Sequence, residues 1–217
     1  MFSTSSKNYG TNALATTAYD DGYTAGGMYY CNGTGGETRR NVTINNVIAG
    51  DKIVVYMASS NAATGTLVFK YLGEDNEQVE KASFTNKGTK YEFVAKYSGS
   101  YKVYTDAAAG KPIYNRIVRI PGVAVSGTID GAQLSGYKVM FKDEANGITY
   151  DADIKGNTFT ATLAAGCNYT AVLSGVAGYG FSNATKNIST TVDEALTGKS
   201  GVTLSIEAVS YTHLRAH

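Results

Sequence analysis

The chain has 217 residues and a net charge of +1, with 19 Lys and Arg against 18 Asp and Glu. This balance argues against a basic surface for nucleic acid, and no apolar run approaches the roughly 18 residues that a membrane-spanning helix needs. Gly and Tyr are abundant, Pro is rare and Trp is absent, which favours strands joined by tight turns. The length allows one large β-domain or two of roughly 90 to 120 residues.

Alternation of apolar and polar residues with period two dominates the first half of the chain and predicts strands. In RNVTINNV, Val42 and Ile44 face one way while Thr43 and Asn45 face the other. Eight such segments occur, at 23–31, 40–47, 51–59, 65–73, 78–84, 89–97, 99–106 and 113–120. Eight strands in about 120 residues predict an all-β, jelly-roll-type β-sandwich.

A boundary is predicted at RIPGVAVSG, because Pro121 cannot donate a ladder hydrogen bond and Gly122 loosens the backbone. Seven further strand segments follow, at 124–129, 136–142, 148–154, 158–163, 168–173, 185–191 and 202–208. Their spacing predicts an immunoglobulin/transthyretin-like β-sandwich. The predicted domains are therefore residues 1–121 and residues 122–208.

The last nine residues, 209–217, read VSYTHLRAH and contain both histidines, His213 and His217. This stretch resembles the translation of a sequencing adapter, so we interpret it as read-through and exclude it from the fold. Without it the chain has no imidazole for a catalytic triad or a zinc site. We accordingly expect a fragment of a longer reading frame. The start, MFSTSSKNYG, has neither the basic residues nor the apolar run of a signal peptide.

Two other patterns in the sequence contain residues that can form a disulfide or bind a metal ion. Cys31 and Cys167 fall in different predicted domains, so no disulfide between them is expected. In LGEDNE, Glu74, Asp75 and Glu77 offer carboxylate oxygens to calcium. That set of ligands is incomplete, and a solvated turn is the favoured interpretation. We expect no cofactor, with structural calcium as the remaining alternative.

Both halves resemble known modules. GDKIVVYMASS, GTLVF and GSYKVYTDAAAGKPIYNRIVRI resemble the jelly-roll, carbohydrate-binding-like accessory module found beside pectate lyase and pectinesterase catalytic domains in secreted bacterial enzymes. The second half, from VSGTIDGAQLSGYKVMFKDEANGITYDADIKGNTFTATL to AAGCNYTAVLSGVAGYGFSN, is similar to carboxypeptidase-regulatory-like domains. The shared motifs are structural and not catalytic.

The resemblance implies an extracellular, non-catalytic accessory fragment of a polysaccharide-degrading enzyme. Its expected partners are plant cell-wall polysaccharide, with pectin as the first candidate, and a covalently linked catalytic domain absent from this chain. Neither nucleic acid nor membrane is expected as a partner. The alternative is a pair of structural spacers or adhesin-like modules of a cell-surface protein. A glycosidase would need two carboxylates at a defined separation, which sequence cannot measure.

Candidate carbohydrate-binding residues lie in YDDGYTAGGMYYCNGTGGETRR and in KPIYNRIVR. Tyrosine rings can stack on sugar rings, and an arginine fork matches a uronate carboxylate. The candidates are Tyr23, Tyr29, Tyr30, Arg39, Arg40, Tyr114 and Arg116. The structural alternative is a Gly-rich edge loop with solvated charges and half-buried tyrosines that serve packing.

Overall fold

The structure is a computed structural model that describes residues 9–10, 18–30, 35–59, 64–74, 77–85, 87–106 and 112–209. It is nearly all β, and its strands form four separate sheets. The chain divides into two compact units, residues 1–120 and 121–217. The division lies beside the Pro121 and Gly122 pair at which the sequence predicts a boundary.

Among the described residues the first unit has nine strands: β1 (Tyr9–Gly10), β2 (Met28–Tyr30), β3 (Val42–Val47), β4 (Lys52–Ser59), β5 (Gly65–Tyr71), β6 (Val79–Phe84), β7 (Thr89–Val94), β8 (Gly99–Asp106) and β9 (Pro112–Ile120). They form two antiparallel sheets, with orders β1-β2-β9-β4-β7 and β3-β8-β5-β6. The chain crosses repeatedly from one sheet to the other. This confirms the predicted all-β sandwich, and its finer assignment to the jelly-roll type stays a prediction.

Aromatic rings fill the space between these two sheets. Phe69 is fully buried, and its ring stacks 5.0 Å from that of Phe93 and 4.5 Å from that of Tyr101, measured between centroids. The buried hydroxyl of Tyr101 donates to Gln78 Oε1 at 2.9 Å, so it keeps a hydrogen-bond partner inside the core. Burial is the main reason that the pKa of Tyr101 rises to about 12.

The described part of the second unit contains nine strands and one short helix: β10 (Val123–Gly131), β11 (Lys138–Asp143), β12 (Ile148–Asp151), β13 (Asp153–Lys155), β14 (Thr158–Leu163), β15 (Asn168–Ser174), β16 (Tyr179–Phe181), β17 (Asn187–Ser189), α1 (Glu194–Thr197) and β18 (Lys199–Ala208). Its sheets have orders β13-β14-β10-β18-β16 and β12-β11-β15-β17. The first and last strands, β10 and β18, pair in parallel.

The core of the second unit is built from inward residues of both its sheets. Phe141 on β11 and Phe159 on β14 have ring centroids 5.6 Å apart, and each is at most 1% exposed. Leu163 and Leu204 are fully buried in the sheet that contains β10. Each unit therefore has apolar residues of its own from which to form a core. The finer assignment to the immunoglobulin or transthyretin class stays a prediction.

The structure differs from the predicted strands at three places in the second unit. The predicted strand 148–154 divides at Ala152, because β12 pairs with β11 in one sheet while β13 pairs with β14 in the other. Strand β16 and helix α1 were not predicted. Thr191 and Glu194 exchange hydrogen bonds ahead of that helix, from Thr191 N–H to Glu194 Oε2 at 2.8 Å and from Glu194 N–H to Thr191 Oγ1 at 3.3 Å.

The predicted read-through tail begins at Val209, where the described part of the chain ends. Val209 is 44% exposed, and its N–H donates to the carbonyl of Gly178 at 2.8 Å. The backbone hydrogen bonds beside β16 and β18 thus include Val209, which lies one residue beyond the predicted end of the domain at residue 208. Residues 210–217 lie outside the described residues, and so does Cys31.

Candidate functional site

Residues 18–27, here called the covering segment, lie on the outer face of the sheet that contains β4 and β9. A turn folds the segment back, with the Tyr19 N–H donating to the Tyr23 carbonyl at 2.8 Å and the Gly22 N–H to the Tyr19 carbonyl at 3.0 Å. Gly22 has a φ of 84°, a conformation that glycine adopts without steric cost. Tyr19 and Ala25 are buried against the outward side chains of β4, Val54 among them.

Three side chains, Tyr23, Tyr56 and Arg116, meet on this face and are here called the tyrosine–arginine cluster. Tyr56 of β4 and Arg116 of β9 are direct cross-strand partners. The guanidinium carbon of Arg116 lies 5.0 Å from the centre of the Tyr23 ring and 5.6 Å from that of Tyr56. The two rings are 4.9 Å apart in an edge-to-face arrangement. Cation–π attraction therefore helps to hold the guanidinium in place.

A β-bulge in β9 gives Arg116 its outward direction. Tyr56 pairs with Arg116, but the next residue of β4, Met57, pairs with Tyr114, so Asn115 is an extra residue. In a regular strand, residues two apart face the same side. The bulge breaks this rule, so that Tyr114 enters the core with Met57 while Arg116 lies outside with Tyr56. Sequence periodicity alone would place both on one face.

The carboxylate of Asp21 fixes the cluster from the side of the covering segment. It accepts a hydrogen bond from the Tyr56 hydroxyl at 2.7 Å and one from the Tyr23 N–H at 3.1 Å. The bond from Tyr56, followed by that from the Tyr23 backbone, lowers the pKa of Asp21. Burial, and then the bond to Asp21, raises the pKa of Tyr56. Near neutral pH the pair is therefore an ionised carboxylate and a protonated phenol.

Asn115, the extra residue of the bulge, attaches the covering segment to β9. Its Oδ1 accepts a hydrogen bond from the Tyr19 hydroxyl at 2.7 Å, and its Nδ2 donates to the carbonyl of Gly27 at 2.9 Å. Burial raises the pKa of Tyr19 well above its ordinary value, so this hydroxyl remains a donor. The bulge that turns Arg116 outward thus also provides the contact that holds the two ends of the covering segment.

The lysines beside the cluster are already paired with carboxylates. Lys90 Nζ lies 3.1 Å from Glu92 Oε1 and 3.8 Å from Asp21 Oδ2. Lys52 Nζ lies 3.2 Å from Glu92 Oε2. Arg116, by contrast, is exposed and forms no ion pair with any residue that the structure describes. Unlike these two lysines, its guanidinium therefore remains available to an anionic ligand.

Two of the predicted binding residues lie in the core instead. Tyr29 and Tyr114 are 6% and 3% exposed, and their rings stack with centroids 6.1 Å apart. The prediction that they form a platform for sugars is corrected here, because rings packed against the inner face of the sheet cannot contact a polysaccharide. Tyr30 lies in β2, but its side chain falls outside the part of the chain that the structure describes.

Arg39 and Arg40 lie on the opposite side of the same sandwich. Glu37, in the same turn, binds Lys70 of β5 through its carboxylate at 2.7 Å, and its carbonyl accepts from Lys102 of β8 at 3.0 Å. These contacts place the turn over the sheet β3-β8-β5-β6. Arg39 is exposed and Arg40 half-buried. The predicted residues therefore do not form one site, since the two sheets of the sandwich separate this arginine pair from the tyrosine–arginine cluster.

Sequence reasoning missed Tyr56, although its signal was present. In KIVVYMAS, Val54 and Tyr56 share one face, while Ile53, Val55 and Met57 share the other. The strand is apolar on both faces, which is typical of a strand covered on both sides. A tyrosine on such a strand buries its ring, but its hydroxyl needs a polar partner. It is therefore expected where the residues that cover the strand end and polar groups begin.

The outer face of the second unit is different in character. Thr158 of β14 pairs with Thr128 of β10, which pairs with Thr203 of β18, and all three are exposed. Ser126 stands opposite Thr160 in the next outward row. These strands therefore present rows of short hydroxyl side chains to solvent.

Within the described ranges, no three His, Cys, Asp or Glu side chains come together to hold a metal ion. The predicted calcium loop is only partly described, since Asp75 lies outside those ranges. No helix in the described part of the chain is long and apolar enough to span a membrane.

Comparison of the chain with models of protein families, with curated proteins and with solved structures found no match. The resemblance to accessory modules of pectin-degrading enzymes therefore rests on the sequence motifs alone. The function has to be argued from the geometry of the tyrosine–arginine cluster.

Proposed function

We propose that the chain is a non-catalytic accessory fragment of a secreted bacterial polysaccharide-degrading enzyme, whose first unit binds plant cell-wall polysaccharide, with pectin as the first candidate. The observation that carries this proposal is the exposed guanidinium of Arg116 stacked on Tyr23 and Tyr56. The motifs shared with pectate lyase and pectinesterase accessory modules point to the same class of ligand. In this proposal the catalytic domain belongs to another part of a longer protein.

The cluster combines the two kinds of contact that sugar binding needs. Tyr23 is half-buried and belongs to a group of three contacting tyrosine rings with Tyr19 and Tyr56, and partly exposed aromatic side chains of this kind can pack against the apolar face of a sugar ring. Asp21 and Lys90 lie beside it at the surface, with polar atoms within reach of sugar hydroxyls. Such a surface supports weak binding, because it encloses little of the ligand.

The second unit is better suited to the alternative role of a spacer. Its outward Thr128, Thr158 and Thr203 form a row of hydroxyl groups beside exposed charges such as Asp130 and Lys155, and residues 121–209 contain no arginine. We therefore place the proposed binding in the first unit. In this division of roles the second unit serves as a structural connection.

Affinity gel electrophoresis of the whole chain tests the proposal. We expect retardation on gels that contain pectin and no more than slight retardation on soluble cellulose derivatives. Tyr23→Ala should abolish most of the retardation, whereas Tyr179→Ala, at an exposed tyrosine of the second unit, should not. Absence of retardation on every plant polysaccharide would demote the chain to a pair of spacers. Release of unsaturated or reducing sugars from pectin would contradict the non-catalytic role.

A further inference from the structure

We infer that the cluster recognises a free carboxylate, so that the ligand of the first unit is a polyuronate with unesterified acid groups. The inference rests on the proposed polysaccharide binding and makes it more specific. It follows from the ion pairs on this face. Lys52 and Lys90 are paired with carboxylates, whereas Arg116 has no carboxylate partner among the described residues.

The surroundings of Arg116 favour a planar anion. Its guanidinium is supported by the rings of Tyr23 and Tyr56, and it forms no side-chain hydrogen bond or ion pair with another residue that the structure describes. A guanidinium offers two parallel N–H donors that match the two oxygens of a carboxylate, whereas an ester or a hydroxyl accepts fewer and weaker bonds. Because the rings restrict the side chain in advance, less conformational freedom is lost on binding.

The neighbouring charges argue against polymers of higher charge density. Lys52 and Lys90 are engaged with Glu92, and Lys90 also lies near Asp21. Nucleic acids and heavily sulfated chains gain most of their affinity from several phosphates or sulfates neutralised together. A face with one guanidinium that lacks an ion pair among the described residues, and with the carboxylates of Asp20, Asp21 and Glu92, suits a chain in which single carboxylates alternate with neutral hydroxyls.

The test compares one polymer in two chemical states. Binding of the whole chain is measured by affinity gel electrophoresis against polygalacturonate and against the same polymer fully methyl-esterified, with mobility normalised to a gel without polymer. The variant Arg116→Gln removes the guanidinium, and Arg116→Lys keeps the charge without the fork. Arg39→Gln is the matched control, since it removes the same charge from an exposed site over the opposite sheet. Circular dichroism confirms that each variant is folded.

We expect polygalacturonate to bind at least about tenfold more tightly than its ester, and Arg116→Gln to lose about tenfold in affinity while Arg39→Gln binds like the wild type. The affinity of Arg116→Lys for polygalacturonate should lie between that of the wild type and that of Arg116→Gln. Added salt should weaken the binding of the wild type. Equal binding of acid and ester would overturn the inference and leave the proposed function standing. Stronger binding to dextran sulfate or single-stranded DNA would overturn it as well. No binding to either form of the polymer would remove both proposals.

Discussion

Arg116 stands directly opposite Tyr56 in the ladder between β4 and β9, and its guanidinium carbon lies 5.6 Å from the centre of the Tyr56 ring. The pair depends on the bulge at Asn115, which also attaches the covering segment to β9. One irregular residue therefore directs the arginine outward and holds in place the segment that contributes Tyr23 and Asp21.

The first prediction concerns the link between Tyr56 and Asp21. Tyr56→Phe removes the hydroxyl that donates to Asp21, which is the largest cause of the lowered pKa of that carboxyl. We expect the pKa of Asp21 to rise towards its ordinary value, as measured by NMR titration of the side-chain carboxyl. Tyr23→Phe is the control, because Tyr23 contacts Asp21 through its backbone N–H. An equal rise in both variants would contradict the assignment.

The same link predicts a pH dependence of stability. The folded pKa of Asp21 lies below its unfolded value, so its ionisation stabilises the fold above the unfolded pKa. This contribution is lost as the pH falls through the folded pKa. Thermal unfolding of the wild type between neutral and acidic pH should therefore show a steeper loss than that of Asp21→Asn. Parallel curves would show that Asp21 makes no contribution.

The second prediction concerns Asn115, whose side chain bonds to Tyr19 and to the Gly27 carbonyl. Asn115→Ala removes both contacts and should lower the stability of the first unit by about 1–3 kcal/mol. Amide exchange in residues 18–27 should accelerate, and polysaccharide affinity should fall because Tyr23 loses its support. Asn45→Ala, at an exposed position of β3, should change stability by no more than about 0.5 kcal/mol. Unchanged exchange in residues 18–27 would show that other contacts hold the segment.

The third prediction concerns the parallel pairing of β10 and β18. A methyl group at Gly127 would clash with the carbonyl oxygen of Val202, which belongs to the ladder itself. Gly127→Ala should therefore destabilise the second unit by about 1–3 kcal/mol, as overpacking does. Gly180→Ala is the control, since its methyl would meet only the end of the Val209 side chain. Equal stability of the two variants in urea unfolding would show that the strands can separate at little cost.

The fourth prediction tests whether the two cores are independent. Phe69→Ala removes a fully buried ring from the first unit and should cost about 3–5 kcal/mol, and Phe159→Ala should do the same in the second. We expect each variant to shift one calorimetric transition and leave the other in place. Limited proteolysis near Gly122 should release both units. A single transition shifted by both variants would show one cooperative structure instead.

The sequence alone determined the all-β class and most of the strands. Alternation in segments such as TKYEFVAKY places Phe93 and Ala95 in the core and Lys90 and Glu92 outside, as the structure has them. Hydrophobic burial places apolar residues on one face of each strand. Apolar and polar residues therefore alternate along the sequence, and this alternation can be recognised without knowing which strands are neighbours in the sheet. Turn formation is equally local: Asn146–Gly147, a dipeptide typical of hairpin turns, lies between β11 and β12, and Gly147 has a φ of 62°.

The tertiary structure decided which of the candidate residues share a surface. Tyr114 and Arg116 are two apart in sequence, yet a bulge defined by pairing with β4 puts one in the core and the other outside. Tyr23 and Arg39 lie in one Gly-rich stretch, but Tyr23 packs on the sheet that contains β4, whereas the turn of Arg39 lies over the sheet β3-β8-β5-β6. Bulges and the order of strands in a sheet depend on pairing with strands that are distant in the sequence. The local alternation of apolar and polar residues therefore does not predict them.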